Sequence, residues 1–219
     1  MNGRVPVAVL ISGRGSNMAA LIEACRDPDY PAEIVLVISN NADAKGLETA
    51  AAAGIATRVI AFQGKGSRKA FEDAANEALE EAEVEYICLA GFMRLLSAEF
   101  VDLWRDRIIN IHPSLLPSFP GLDTHERALQ AGVRITGCTV HFVRAEMDNG
   151  PIIAQVAVPV SSRDTADTLA ARVLKHEHRI YPLALALVAS GQARIAGDRV
   201  IVDDDMADLP ALAVPPVRA

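Results

Sequence analysis

Short apolar runs alternate with segments of helical periodicity from Val5 to about Ala131, and this alternation limits the possible folds more than any other feature of the chain. The apolar runs are Val5 to Ile11, Glu33 to Ile38, Ala56 to Ile60, Tyr86 to Ala90 and Arg107 to His112. Between and after them, helical patterns cover Ser16 to Cys25, Ala44 to Ala53 with Gly54 as a stop, Ser67 to about Glu83, Ser97 to about Trp104, and Thr124 to Ala131. Strands joined through helices run parallel, with right-handed crossovers, so the expected fold is α/β with a doubly wound, mostly parallel, Rossmann-like sheet. Ligands of such sheets bind outside the carboxyl ends of the strands.

After Gly132 the pattern changes. Thr136 to Val143 and Pro151 to Val160 read as an antiparallel hairpin, followed by a long helix from about Thr165 to Ala189. Leu169, Val173, Ile180, Leu183 and Leu187 are its expected inner positions, and Pro182 is expected to kink or break it. Arg194 to Val202 reads as a small hairpin around Gly197 and Asp198, and an acidic, then Ala/Pro/Val-rich tail follows from Asp203. With 51% hydrophobic residues the chain can build a substantial core, so residues 1–190 are expected to form one domain, with 191–219 as its terminal hairpin and tail.

A formal net charge of -7 argues against a broad nucleic-acid or anionic-membrane surface, because both need clustered Lys and Arg. Cys25, Cys88 and Cys138 are far apart and form no CxxC, which suggests neither a disulfide framework nor a zinc site and fits a reducing cytoplasm. His176 and His178 do not share a helix face and no HExxH occurs, so no metal is expected. The apolar run after Met1 is too short to span a membrane, and no export signal follows it.

Within this frame three stretches carry chemistry. In the strand ending at His112, alternation places Asn110 and His112 on one face and Ile109 and Ile111 on the other, and Pro113 then turns the chain. The pair joins a fixed amide to a group that titrates near neutrality. Ser12-Gly13-Arg14-Gly15-Ser16-Asn17 links the first strand to the first helix; it has the form of a phosphate cradle and equally that of a plain turn in which Ser16 or Asn17 caps. A dinucleotide is disfavoured, since the third glycine of GxGxxG would be Met18 and the second strand ends in Ser39-Asn40-Asn41 without an acidic residue. Phe92, Met93, Leu95 and Leu96, interrupted by Arg94, are either core or the wall of a pocket for a flat ring. By spacing alone Arg68 reads as a solvated Arg or a contact for a ligand carboxylate, Asp148 as the tip of an Asp-Asn-Gly turn, and Glu177 as a surface carboxylate.

Longer segments go further. ISGRGSN at 11–17, SNNADAKGLETA at 39–50, LAGFMRLLS at 89–97, INIHPSLLPSFPG at 109–121, VHFVRAEMDNGPII at 140–153 and HEHRIYP at 176–182 stand in one order over Val7 to about Val188. In these the chain resembles the phosphoribosylglycinamide formyltransferases, the folate-dependent enzymes of purine synthesis. The resemblance implies transfer of the formyl group of 10-formyltetrahydrofolate to the amine of glycinamide ribonucleotide. It implies Asn110, His112 and Asp148 as the catalytic trio, with Asn110 and a protonated His112 stabilising the oxyanion. Asp148 would favour the protonated imidazole, orient it and help relay the proton through water.

It further implies that Gly13, Arg14, Gly15, Ser16 and Asn17 hold the ribonucleotide phosphate and that Glu177 meets the glycinamide amine. Arg68, Met93, Arg94, Leu95 and Leu96, with the backbone of Ala145, Glu146, Met147 and Asp148, would line the folate site. The family often has Asn where this chain has Arg14, which leaves the role of that side chain open. Related methionyl-tRNA formyltransferases and formyltetrahydrofolate hydrolases would be expected to carry a further domain, and a non-catalytic binder could dispense with the trio. No metal, nucleic acid or membrane partner is implied, and the oligomeric state is left open, a homodimer included.

Overall fold

In a computed structural model, residues 3–62, 67–202, 212 and 214 are described. Residues 63–66 and nearly all of the tail from Asp203 lie outside them, as does the side chain of Ser67. The chain runs β1 (Val5–Ile11), α1 (Ser16–Ala24), β2 (Ala32–Ser39), α2 (Gly46–Ala52), β3 (Ala56–Val59), α3 (Ser67–Glu81), β4 (Tyr86–Leu89), α4 (Ala98–Leu103) and β5 (Ile108–His112). It continues through α5 (Thr124–Gln130), β6 (Ile135–Phe142), β7 (Ile152–Pro159), α6 (Ala166–Ala189), β8 (Ala193–Ala196) and β9 (Arg199–Val202).

Seven strands form one sheet in the order β3-β2-β1-β4-β5-β6-β7, and β8 and β9 form a separate antiparallel pair. The first five are parallel, while β6 runs antiparallel to β5 and to β7. The α/β reading therefore holds, including the antiparallel C-terminal part. Strand order reverses between β1 and β4, which opens a crevice at their carboxyl ends where parallel sheets bind ligands. Ser12 bridges it: its hydroxyl donates to Asn40 Oδ1 at 2.6 Å and accepts from Met93 N at 2.8 Å.

Alternation divides the core between the two faces of the sheet. Val7, Val9, Ile11, Ile109 and Ile111 pack with α1 and α6, whereas Ala8, Leu10, Ile108 and the α3 residues Phe71, Ala75 and Leu79 fill the other face. Because Ile109 and Ile111 take the α1/α6 face, Asn110 and His112 stand on the opposite one.

Helix α6 is uninterrupted through Pro182, so the expected break does not occur. Its start is fixed by a capping box between Thr165 and Thr168. The buried stripe is Leu169, Val173, Glu177, Ile180, Tyr181, Ala184, Leu185 and Val188; Leu183, expected inside, is 55% exposed because it sits across the helix from Tyr181 and Leu185. Tyr181 is fully buried, and its hydroxyl lies 3.0 Å from Leu89 O and 3.1 Å from Ile109 O, on adjacent strands.

Candidate active site

Two elements present the central side chains. Asn110 and His112 lie at the carboxyl end of β5, and the antiparallel register sets Asn110 directly opposite His141 of β6. Residues on the same face of such a pair touch, and here Asn110 Nδ2 is 3.3 Å from His141 Nε2. His141 Nδ1 is 3.0 Å from Phe142 O. A carbonyl only accepts, so Nδ1 carries the proton, and in the neutral ring Nε2 is the acceptor for an Asn110 N–H. Burial lowers the His141 pKa and keeps the ring neutral, although the Phe142 carbonyl and the Asp148 carboxylate oppose this.

The same logic orients His112, which is 6% exposed. Its Nε2 is 3.0 Å from Phe119 O and therefore donates to it, leaving Nδ1 to face Asp148 Oδ2 at 3.5 Å. The Phe119 carbonyl is held for this by the 113–121 loop. Ser114 Oγ donates to Ser118 O at 2.6 Å, Thr139 Oγ1 donates to Ser114 O at 2.7 Å, and Leu116 N donates to Thr139 Oγ1 at 3.1 Å.

Asp148 comes from the β6–β7 connection and turns inward rather than standing at a solvated tip; its side chain is 10% exposed. Its φ of 56° is left-handed, a conformation Asp adopts more readily than most residues. Oδ2 also accepts from Gly121 N at 2.7 Å, and Oδ1 is 3.9 Å from His141 Nε2. Gly150 lets the connection close: a Cβ there would lie 1.6 Å from Phe142 O. Asn110, His141, Asp148 and His112 thus form one continuous polar cluster.

A second group adjoins it. Gly15, with φ of 69°, begins α1, and no side chain caps that helix, so neither Ser16 nor Asn17 does what a plain turn would require. The loop is fixed from behind, where Gly46 N donates to Gly13 O at 3.1 Å and a Cβ on Gly46 would strike Ile11. Asn17 is buried and its Nδ2 donates to Glu177 Oε2 at 2.7 Å, while its Oδ1 is buried without a hydrogen-bond partner. Glu177 is no surface carboxylate: it is 7% exposed, and burial raises its pKa against the lowering effects of Asn17 and His112. Arg14 is exposed.

The residues expected around folate are mostly open to solvent. Met93, Leu95 and Met147 are 70%, 61% and 56% exposed, Leu96 is half-buried against the α3 side of the core, and Arg68 is exposed. Arg94 lies over the Phe62 ring at 4.9 Å. Ala145 and Glu146 line a different cleft, of about 930 Å³, between the end of α4, the 144–152 segment and the β8–β9 turn, which none of the trio lines. Residue spacing did not single out His141; only the knowledge that β6 pairs with β5 would have set it opposite Asn110.

Burial raises the thiol pKa of Cys25 to about 11 and of Cys138 to about 12, and it also raises that of Cys88, so none presents a ready thiolate. Among the described residues no group of three or more His, Cys, Asp and Glu is arranged to hold a metal ion, and no helix is long and apolar enough to cross a membrane.

Residues 5–185 match the family model described as formyl transferase. The chain is 44% identical over 189 residues to the phosphoribosylglycinamide formyltransferase of Escherichia coli, covering 86% of this chain and 89% of that protein. It is 57% identical over 192 residues to the trifunctional purine biosynthetic protein adenosine-3 of Gallus gallus, covering 88% of this chain but spanning only 19% of that longer protein. Among solved structures, the glycinamide ribonucleotide transformylase 1 of Symbiobacterium toebii superposes with a TM-score of 0.89 at 46% identity, covering 93% of this chain and 96% of that one. This chain belongs to the formyl transferase family, in its phosphoribosylglycinamide formyltransferase branch.

Proposed function

We propose that the protein transfers the formyl group of 10-formyltetrahydrofolate to the amine of N1-(5-phosphoribosyl)glycinamide, yielding formylglycinamide ribonucleotide and tetrahydrofolate, a step of purine synthesis in the cytoplasm. The observation that carries this reading is the polar cluster of Asn110, His112 and Asp148, with the buried Asn17–Glu177 pair within electrostatic reach of His112. It supplies acid–base groups next to a site built for a polar substrate.

The amine attacks the formyl carbon, and the carbonyl oxygen gains charge as the tetrahedral intermediate forms. Asn110 has two amide hydrogens; with one committed to His141, the other is free for that oxyanion. His112 gives its Nε2–H to Phe119, so its deliverable proton is the one on Nδ1, between the ring and Asp148. The Asp148 carboxylate, fixed by Gly121 N–H, faces that ring nitrogen and takes the proton lost by the attacking amine, directly or through water. The carbon–N10 bond then breaks and N10 of the folate takes the proton. The enzyme forms no covalent intermediate.

The uncapped first turn of α1, with Gly13 to Asn17, receives the ribonucleotide phosphate, and Arg14 adds charge at its rim. Glu177 accepts from the glycinamide amine. Arg68, Met93 to Leu96 and the backbone of residues 145–148 hold the folate; the exposed apolar side chains Met93, Leu95 and Met147 are suited to covering a flat ring. A spectrophotometric assay with both substrates, run beside one in which water is the only acceptor, tests the proposal. Formyl transfer is expected; donor hydrolysis alone, or no turnover, would overturn it.

A further inference from the structure

Residues 91–97 have no regular secondary structure, yet they hold two large apolar side chains, Met93 and Leu95, out towards solvent. The main chain beneath them is tied to other elements of the fold. Among the described residues its tethers are side chains: Met93 N donates to Ser12 Oγ at 2.8 Å, and Ser97 N donates to Glu72 Oε1 at 2.6 Å.

The second tether is a two-point clamp. Ser97 Oγ donates to Glu72 Oε2 at 2.7 Å, so both carboxylate oxygens are committed to one residue, and Glu72 is 7% exposed. Ser97 Oγ also accepts from Phe100 N at 3.1 Å, which caps α4. Beside Glu72 on α3, Phe71 stacks on Phe92 with ring centroids 5.5 Å apart and planes 25° apart. Phe71 and Glu72 therefore hold the two ends of the segment. Arg68 lies three and four residues earlier on the same helix, hence on the same face.

We propose that Glu72 is a positioning residue for the formyl donor. Its clamp on Ser97 sets the height of the Met93 to Leu96 wall and keeps that wall in register with Arg68. A carboxylate is otherwise costly in the core, and a Ser cap does not need one. The inference rests on the reading of residues 93–96 as the folate wall.

Steady-state kinetics of Glu72→Gln, Ser97→Ala, the double variant and Leu95→Ala test it. Glu72→Gln keeps the size but loses the charge and leaves one acceptor where there were two, so the KM for 10-formyltetrahydrofolate is expected to rise about tenfold or more. The KM for the ribonucleotide and kcat at saturating donor should be unchanged. Ser97→Ala should shift the same constant, and the double variant should show less than the sum of the two effects. Ser97→Ala also reads the clamp if Glu72→Gln fails to fold.

An unchanged donor KM in the clamp variants, while Leu95→Ala raises it, would overturn the role of Glu72 alone. An unchanged donor KM in Leu95→Ala as well would overturn the folate wall on which it rests. A parallel fall in kcat and rise in both KM values would make Glu72 a general structural support and also overturn the proposal.

Discussion

Asp148 Oδ2 sits 3.5 Å from His112 Nδ1 while accepting the Gly121 N–H at 2.7 Å, so a residue of one loop is held against a strand residue by the backbone of a second loop. Asp148→Asn keeps the size and loses the charge. We expect it to lower formyl transfer by about 10²–10⁴-fold, the usual worth of a positioned acid–base group, without changing the far-ultraviolet circular dichroism. His112→Ala should fall in the same range. Near-native turnover in either variant would remove the trio from the mechanism.

Asn110→Ala removes the proposed oxyanion donor. A loss of about 10²–10³-fold in kcat is expected, with the ribonucleotide KM little affected. A change confined to KM would assign Asn110 to binding instead.

His141→Phe would leave the Asn110 amide without its acceptor and free to rotate. We expect kcat to fall, with His141→Gln retaining more activity because a side-chain carbonyl can accept the same N–H. Equal activity in both variants would show that the Asn110 rotamer does not depend on residue 141.

His141, His125 and His178 all have pKa values lowered from 6.5, in each case chiefly by burial. The unfolded chain therefore binds more protons than the folded one as pH drops below about 6.5, and stability should fall from there downward. Glu177 acts in the opposite sense: its raised pKa costs stability as pH climbs through the folded value. Melting temperatures of native protein and His141→Phe between pH 5 and 7 should show a shallower slope in the variant. Parallel curves would count against a buried neutral His141.

Gly150→Ala places a Cβ against the Phe142 carbonyl, so the connection carrying Asp148 must shift. Overpacking of this kind costs about 1–3 kcal/mol. Activity should drop by more than the loss in melting temperature alone would predict, and wild-type kinetics in a folded Gly150→Ala would show that the loop tolerates the shift.

Local pattern and long-range geometry divide what could be read from the chain. The period-two alternation placed Asn110 and His112 on one face, and the strand–helix repeat gave a sheet whose carboxyl edge gathers the loops. Family resemblance, not spacing, pointed to Asp148 and Glu177. Spacing read Glu177 as a surface group because burial on α6 depends on what packs there, and Pro182 as a kink or a break, whereas the helix continues through it. The carboxylate of Glu72 and the ring of His141 took their places only through partners at the start of α4 and on β5, remote in sequence, and spacing along the chain singled out neither residue.

Tyr181 gives the arrangement a common datum. Its hydroxyl sits between the carbonyls of Leu89 and Ile109, one residue short of Asn110, and Glu177 lies one helical turn away on the same helix. A single buried phenol therefore fixes the helix that carries Glu177 against the strand that carries Asn110. A phenylalanine at position 181 would keep the ring's packing but lose both carbonyl contacts, so that helix and strands would be joined there by packing alone.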